Sequence, residues 1–309
     1  MSMTRLALVG IGKIARDAHV PTLAASSQFD LAAAVTSHTP PEGVPGFRTI
    51  GEMATAMPDV TAVSICTPPH GRLALVAEAF DHGLDVMIEK PPAGTISEAE
   101  CFARMAQRAG RILYVTWHSR EAAAVEPARE WLSGKTIHRV DVSWKEDVRV
   151  WHPGQEWIWE PGIGVFDPGI NALSVLTAIL PRPLRLDSAE LRFPANRDAP
   201  IAASLAFSLG ATVPVAVEFD FDQKGPQSWD IDIDTDGGRL SLSMGASLMA
   251  VDGKPVDVGD EPEYRRLYRR FAELLVTRQS DIDLTPFHHV ADAFLIGQRK
   301  VVAPFEWDS

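Results

Sequence analysis

Lys90 stands in Glu89-Lys90-Pro91-Pro92, while Asp167 and Asn171 are four residues apart in Gly162-Ile-Gly-Val-Phe-Asp-Pro-Gly-Ile-Asn. An amine and a carboxylate can hold a hydroxyl oxygen and remove its proton. Asn171 can donate and accept hydrogen bonds, but its amide takes no proton at neutral pH. Spacing of four puts Asp167 and Asn171 on one face if a helix begins there. The stretch from Trp144 to Gly162 carries Trp144, Glu146, Trp151, His152, Trp157 and Trp159. An indole can cover the apolar face of a sugar ring while carboxylate, imidazole and amide groups bind its hydroxyls. Trp131 and Trp144 read as core, whereas Trp151, beside His152 in an irregular segment, reads as pocket. Trp229, far along the chain, is a candidate for the same mouth.

A second chemistry is written near the start. Gly10-Ile11-Gly12-Lys13-Ile14-Ala15 has glycine and alanine spacing that lets a dinucleotide pyrophosphate approach the backbone and the free N–H groups of a helix start. It follows the apolar run Leu6 to Val9 and precedes a helical pattern to about Ala25, the context such a fingerprint requires. The next apolar run, Leu31 to Val35, ends in Thr36-Ser37-His38 rather than in the acid that binds a ribose hydroxyl pair. Asp30 starts that run, at the wrong end. Without the acid a 2′-phosphate is not repelled, and Ser37 and His38 can contact it, although no arginine follows at once. NADP is therefore the expected cofactor, with NAD as a second.

The elements that position these groups alternate in the first third. Strand candidates are Leu6 to Val9, Leu31 to Val35, Val60 to Ile65, Val86 to Ile88 and Ile112 to Thr116. Helices are expected over Leu73 to Phe80 and Ser97 to Arg108, the latter with Ser97 and Glu100 at capping-box spacing. Alternation of this kind predicts a parallel sheet covered on both faces. Ligands of such sheets sit beyond the carboxyl ends of the strands. Cys66-Thr67-Pro68-Pro69-His70, Glu89-Lys90 and Trp117-His118-Ser119 all fall there. After about Ser119 longer strand-like runs appear, among them Ile137 to Trp144, Ala202 to Phe207, Val213 to Phe221, Trp229 to Thr235, Leu240 to Ser243 and Ser247 to Val251. Asp236-Gly237-Gly238 reads as a hairpin turn. Helices over Pro262 to Val276 and Pro286 to Gly297 close the pattern. The expectation is an α/β protein: residues 1–119 a dinucleotide-binding Rossmann domain, residues 120–309 an α+β domain with a large, mostly antiparallel sheet for substrate binding and oligomerisation.

Bulk composition narrows the partners. Lys and Arg number 29 against 41 Asp and Glu, a net charge of −12 that disfavours nucleic acid. Two cysteines cannot make a disulfide framework. No apolar run approaches the ~20 residues of a membrane span. No metal-ligand pattern stands out. The expected setting is cytoplasmic, with a homodimer through the outer face of the sheet around Val213 to Asp222.

Gly10-x-Gly12, Cys66-Thr67-Pro68-Pro69-His70 and Glu89-Lys90-Pro91, in this order, resemble the glucose–fructose oxidoreductase / inositol dehydrogenase / MocA family over nearly the whole chain. The resemblance implies a cofactor site of Gly10, Ile11, Gly12, Lys13, Ile14, Ser37, His38, Cys66, Thr67, Pro68, His70, Glu89, Lys90 and Trp117. It also makes Lys90 an active-site residue near the nicotinamide. The family's Gly-x-x-x-Asp-x-x-x-His signature matches at Asp167 and departs at Asn171, so the usual histidine base is missing. Trp117-His118, Trp144-Lys-Glu146, Trp151-His152, Trp157-Ile-Trp159 and the Asp167–Asn171 segment resemble a branch of bacterial L-arabinose and D-galactose 1-dehydrogenases that also carries asparagine there. The implied activity is NAD(P)-dependent oxidation of an aldopyranose (galactose, arabinose or fucose) at C1 to the lactone. Asp167 would take the hydroxyl proton while Lys90 polarises the oxygen, with Lys90 as base the alternative. His118, Glu146, Trp151, His152, Asn171 and Trp229 would bind sugar. A non-catalytic NAD(P)-binding regulator and a cyclitol dehydrogenase are the other readings.

Overall fold

The structure is a computed structural model that describes residues 3–308. The chain forms two units. The first holds the residues up to His118 together with Pro262–Leu284; the second holds Ser119–Glu261 and the residues from Thr285 on.

In the first unit, six parallel strands are β1 (Thr4–Val9), β2 (Phe29–Val35), β3 (Gly46–Phe47), β4 (Ala62–Ile65), β5 (Asp85–Glu89) and β6 (Leu113–Thr116). Their order is β3-β2-β1-β4-β5-β6, the doubly wound arrangement whose direction of winding reverses between β1 and β4. β1 is buried from Leu6 to Val9 and β4 throughout because helices cover both faces. The helix Ile96–Ala109 is capped by Thr95, whose hydroxyl accepts from the Glu98 amide at 3.3 Å. Ser97 and Glu100 do not form the expected box, because the helix starts one residue earlier. The chain between Gly12 and Ala24 does not run as one regular helix. Ala15–His19 makes a wider turn, with the Val20 amide donating to the Ala15 carbonyl.

Among the described residues, the first unit also takes a helix from far along the chain, Glu263–Thr277. Sequence order alone placed it with the second unit. Its buried stripe, Leu267, Tyr268, Phe271 and Leu274, explains the change, because it packs into the same core as Leu6, Phe29 and Tyr114. Phe271 stacks on Phe29 at 5.7 Å and on Tyr114 at 6.1 Å.

The second unit is a nine-stranded sheet: β7 (Ile137–Lys145), β8 (Leu184–Pro194), β9 (Ala202–Leu209), β10 (Val213–Asp220), β11 (Ser228–Thr235), β12 (Gly238–Ser243), β13 (Leu248–Val251), β14 (Lys254–Val256) and β15 (Gln298–Val302). The order is β14-β13-β12-β11-β7-β10-β9-β8-β15. All neighbours are antiparallel except β10 with β7 and β15 with β8. The hairpin at Asp236 joins β11 to β12, pairing Thr235 with Gly238. β8 and β15 escaped the sequence reading for physical reasons. The alternation of β8 breaks at Asp187, where the register shifts, and β15 is an exposed edge strand rich in polar residues.

The helix Phe166–Ile179 lies against the inner face, which carries Val215, Val217 and Phe219. A Cβ on Gly169 would meet the Phe219 ring at 2.6 Å, so only glycine permits this approach. The outer face is a polar ladder: Arg139 pairs with Asp141 at 2.5 Å, Arg239 with Asp232 at 3.0 Å, and Ser204 donates to Glu218 at 2.7 Å.

Phe271→Ala should cost about 3–5 kcal/mol of stability, since it removes a fully buried ring between two others. Denaturant unfolding of wild type and variant measures this. A loss below about 1 kcal/mol would mean that the helix is not part of the first unit's core.

Candidate active site

The glycine fingerprint lies at the carboxyl end of β1. Gly10 has φ +88°, and a Cβ there would meet the Thr67 methyl at 2.7 Å. Glycine at 10 thus lets the two loops touch. Around Gly12 no atom lies within 4 Å of where a Cβ would be, so the backbone is open to a ligand. A cleft of about 510 Å³ is lined by Ile11, Gly12, Lys13, Arg16, Ser37, His38 and Thr39. Ser37 and His38 are exposed at its rim. Arg16 was not singled out from the sequence. It reaches the cleft from the turn after the fingerprint and donates to the Thr39 carbonyl at 2.9 Å. Arg48 donates to the Ser37 carbonyl at 3.4 Å. Two arginines from other segments thus reach the backbone of the Ser37–Thr39 loop. Asp30 lies at the opposite end of the strand and pairs with Arg5 at 3.3 Å.

Other expected cofactor residues are placed differently. Ile14 is exposed, while the Cys66 thiol belongs to the buried core. The Thr67 hydroxyl oxygen is buried without a hydrogen-bond partner, beside Gly10. Pro68 and His70 are exposed at the same strand end. Trp117 is buried and donates to the Asp283 carbonyl at 2.8 Å. His118 pairs with Glu263 at 2.7 Å and stacks on Tyr264.

Lys90 follows the last residue of β5, and its own neighbour Glu89 is buried. Glu89 Oε1 meets His19 Nε2 at 3.0 Å and accepts from the Tyr264 hydroxyl at 3.0 Å. Its other oxygen accepts from the Lys90 backbone N–H at 3.2 Å. His19 Nδ1 in turn meets the Tyr268 hydroxyl at 2.7 Å. Burial alone would raise the Glu89 carboxyl; the hydrogen bond and charge of His19, with the charges of His118 and Lys90, outweigh it and hold it down to about 2. Burial alone would lower the His19 imidazole; Cys66, Tyr268 and Glu89 together raise it well above its ordinary value. Burial and then Glu89 push the Tyr264 phenol well above 10.

Arg72 completes this frame, and the sequence reading passed over it. It is buried and donates to the backbone carbonyls of Thr67, Glu89, Pro91 and Pro92, the last two at 2.6 and 3.2 Å. One guanidinium, with five donors in a rigid fork, thus ties the Thr67 loop to the Lys90 loop. Nothing in a single sequence distinguishes this arginine from one on a wet helix face.

In the second unit the expected sugar-binding side chains fall into two groups, Glu146 with Trp229 and Trp151, and His152 with Asp167. Glu146 is buried and accepts from Trp229 Nε1 at 2.7 Å. Trp151 is 42% exposed, lies edge-on to Trp229 at 5.9 Å and donates to Gln227 at 2.7 Å. Asp167 is buried on the first turn of the helix Phe166–Ile179, and Asn171 lies one turn further along. His152 Nε2 is 3.2 Å from Asp167 Oδ2. Trp144 is core, as expected, whereas Trp131 is half-buried beneath the Lys135 ammonium.

Comparison with known proteins follows this geometry. Residues 4–117 match the GFO/IDH/MocA model, described as an oxidoreductase family with an NAD-binding Rossmann fold. Galactose 1-dehydrogenase of Pseudomonas fluorescens is 44% identical over 305 residues, 99% of each chain. The chain belongs to the GFO/IDH/MocA family of oxidoreductases. A crystal structure of D-galactose-1-dehydrogenase from Rhizobium etli superposes with TM-score 0.95 at 48% identity, covering 99% of each chain. KijD10, a 3-ketoreductase from Actinomadura kijaniata solved with NADP and TDP-benzene, superposes with TM-score 0.83 at 15% identity, covering 97% of this chain and 99% of that one, and shares the fold.

The family's dinucleotide has suitable residues to hold it here: the open backbone at Gly12, the buried unpartnered Thr67 hydroxyl and the cationic rim of Lys13 and Arg16. Among the described residues, no group of three or more metal-ligating side chains gathers, and no helix is long and apolar enough to cross a membrane.

The buried pair sets a pH window. The folded-state value of Glu89 is depressed from 4.5 to about 2, so its stabilisation is complete above 4.5 and is lost as pH falls towards 2. His19 is raised, so its contribution is complete below its ordinary 6.5 and is lost as pH rises through the folded value. Glu89→Gln leaves His19 without its carboxylate and should cost about 3–5 kcal/mol near pH 6. Unfolding free energies across pH should show the gap between wild type and variant closing as pH falls from 4.5 to about 2. A gap independent of pH would contradict the ion pair.

Proposed function

We propose that this oxidoreductase oxidises an aldopyranose at C1 to the lactone, with D-galactose the leading substrate and L-arabinose and D-fucose accepted through the same ring hydroxyls. The observation that carries this reading is the 44% identity, over 99% of both chains, to a galactose 1-dehydrogenase. The second unit's chemistry agrees with it. Glu146 and Asn171 offer a carboxylate and an amide for ring hydroxyls, and the edge-on pair of Trp151 and Trp229 offers an apolar wall. A cyclitol or a non-catalytic role draws support from no particular contact.

When bound, a nicotinamide dinucleotide supplies the two-electron acceptor. Gly10, Gly12 and the Thr67 hydroxyl would receive its pyrophosphate region, and Lys13, Arg16, Ser37 and His38 its adenosine end. Two cations at that rim favour a 2′-phosphate, so NADP is the preferred cofactor and NAD a second. Asp167 is assigned as acceptor of the C1 hydroxyl proton, and Lys90 as the group that holds and polarises the oxygen. General base assistance of this kind contributes roughly 10²–10⁴ in rate.

Dinucleotide reduction with D-galactose, L-arabinose, D-fucose and myo-inositol, each with NADP and NAD, tests the reading. Activity with the aldoses, reduced at least about 100-fold in folded Lys90→Ala and Asp167→Ala, is expected. Tight dinucleotide binding with no aldose turnover would identify a sensor instead. Arg16→Ala should weaken NADP by about 10-fold relative to NAD, the scale of one charged hydrogen bond. An unchanged ratio of catalytic efficiencies would remove Arg16 from the phosphate site.

A further inference from the structure

Trp151 and His152 lie in a stretch that holds to the scaffold mainly by its side chains. Between β7 and the helix Phe166–Ile179 the chain makes only two four-residue turns, Val148–Trp151 and Glu156–Trp159. Among the described residues, every backbone-to-backbone hydrogen bond made by residues 149–160 ends within residues 147–164. No ladder ties them to the sheet, so side chains decide where they sit.

Several of those side chains run to Phe305-Glu306-Trp307, the segment that follows β15. The Arg149 guanidinium lies 4.4 Å over the Phe305 ring and donates to the Glu306 carbonyl at 2.9 Å. It also pairs with Asp147 at 3.2 Å and Asp222 at 2.6 Å. Trp307 Nε1 donates to Glu156 Oε1 at 2.6 Å. Trp159 is buried against Phe305, with ring centres 4.7 Å apart, and lies 6.4 Å from Trp307. The other side of the segment is anchored. Phe305 N–H donates to Asn196 Oδ1, and the Phe305 carbonyl accepts from Asn196 Nδ2, both at 2.9 Å. Asn196 stands just beyond β8, where the Ala195 N–H also donates to the Val302 carbonyl at 3.2 Å. All of these residues belong to the second unit.

We propose that residues 305–307 are a strap that positions the sugar-binding stretch of Trp151 and His152, attached through Arg149, Glu156 and Trp159. The proposal rests on the aldose-oxidation reading for the identity of the ligand. Asn196 holds the strap. The strap in turn holds the stretch on both sides of Trp151 and His152, at Arg149 before them and at Glu156 and Trp159 after them. Fixing both flanks removes an ordering cost that the sugar would otherwise meet on binding. Arg149 bonds carboxylates and a carbonyl with its planar fork while its face lies on a ring, two uses that a lysine ammonium cannot combine. Lys90 and Asp167 stand on other elements, the end of β5 and the helix Phe166–Ile179. The strap therefore governs sugar affinity rather than the chemical step, and Arg149, Glu156 and Trp307 are positioning residues.

The test is steady-state kinetics with D-galactose and oxidised NADP, joined to hydrogen exchange without sugar. Trp307→Ala, Arg149→Lys and Glu156→Ala should each raise sugar KM by about 10-fold, the scale of one or two side chains newly ordered on binding, with kcat changed by less than about threefold and NADP affinity unchanged. Glu156→Gln keeps an oxygen that accepts from Trp307 and should stay near wild type. Sugar KM within about twofold of wild type in all the folded variants would overturn the strap. So would equal losses of kcat and NADP affinity, the mark of general destabilisation. In the exchange experiment, the amides of residues 150–160 should exchange faster in Trp307→Ala than in wild type, while those of β10 stay protected. Unchanged exchange over residues 150–160 would contradict the strap whatever the substrate proves to be. Absence of wild-type turnover with every aldose would defeat the aldose reading, and the exchange result would then decide the strap by itself.

Discussion

A buried ion pair holds the loop that carries Lys90. Glu89 and His19 lie together away from water, each tied to a tyrosine from the helix Glu263–Thr277. A buried pair gains little stability over an apolar substitute, because desolvation offsets the attraction, but losing one partner is costly. Its value here is positional. Glu89 accepts from the Lys90 backbone amide, and Arg72 grips the Glu89, Pro91 and Pro92 carbonyls. The lysine backbone is thus fixed from both sides by charged groups. Distant Tyr264 and Tyr268 belong to the first unit because this network and the Phe29–Phe271–Tyr114 stack require them.

The second unit buries carboxylates of its own. Asp167 is buried at a helix start, where the helix dipole favours a carboxylate, and His152 lies beside it. Glu146 accepts a hydrogen bond from the Trp229 indole. The helix carrying Asp167 and Asn171 is anchored at Gly169, where the sheet leaves no room for a side chain. Lys90 and Asp167 therefore both sit on firmly held backbone.

Much of the frame was legible in the sequence. β1, β2, β4, β5 and β6 are unbroken apolar runs ended by polar turns, and burial on both faces of a parallel sheet demands that pattern. Gly10 and Gly12 were readable because backbone constraints leave few alternatives. The four-residue spacing of Asp167 and Asn171 foretold that they share one helix, which Phe166–Ile179 provides. What escaped depends on contacts across long separations. His19 and Tyr268 are 249 residues apart, and neither has a local pattern that announces the other. Arg72 and Arg16 look like ordinary helix-surface cations until the loops they grip are known. The exposed edge strand β15 and the bulged β8 lack the alternation on which a strand reading depends.

Transfer of the C1 hydrogen is the most direct measure of the central claim, that this chain oxidises an aldose at C1. Incubation with D-galactose deuterated at C1 and oxidised NADP, followed by mass analysis of both products, locates the label. The account requires deuterium in the reduced dinucleotide and an unlabelled lactone. Deuterium retained in an oxidised sugar, with unlabelled reduced dinucleotide, would place the chemistry at another carbon and contradict it.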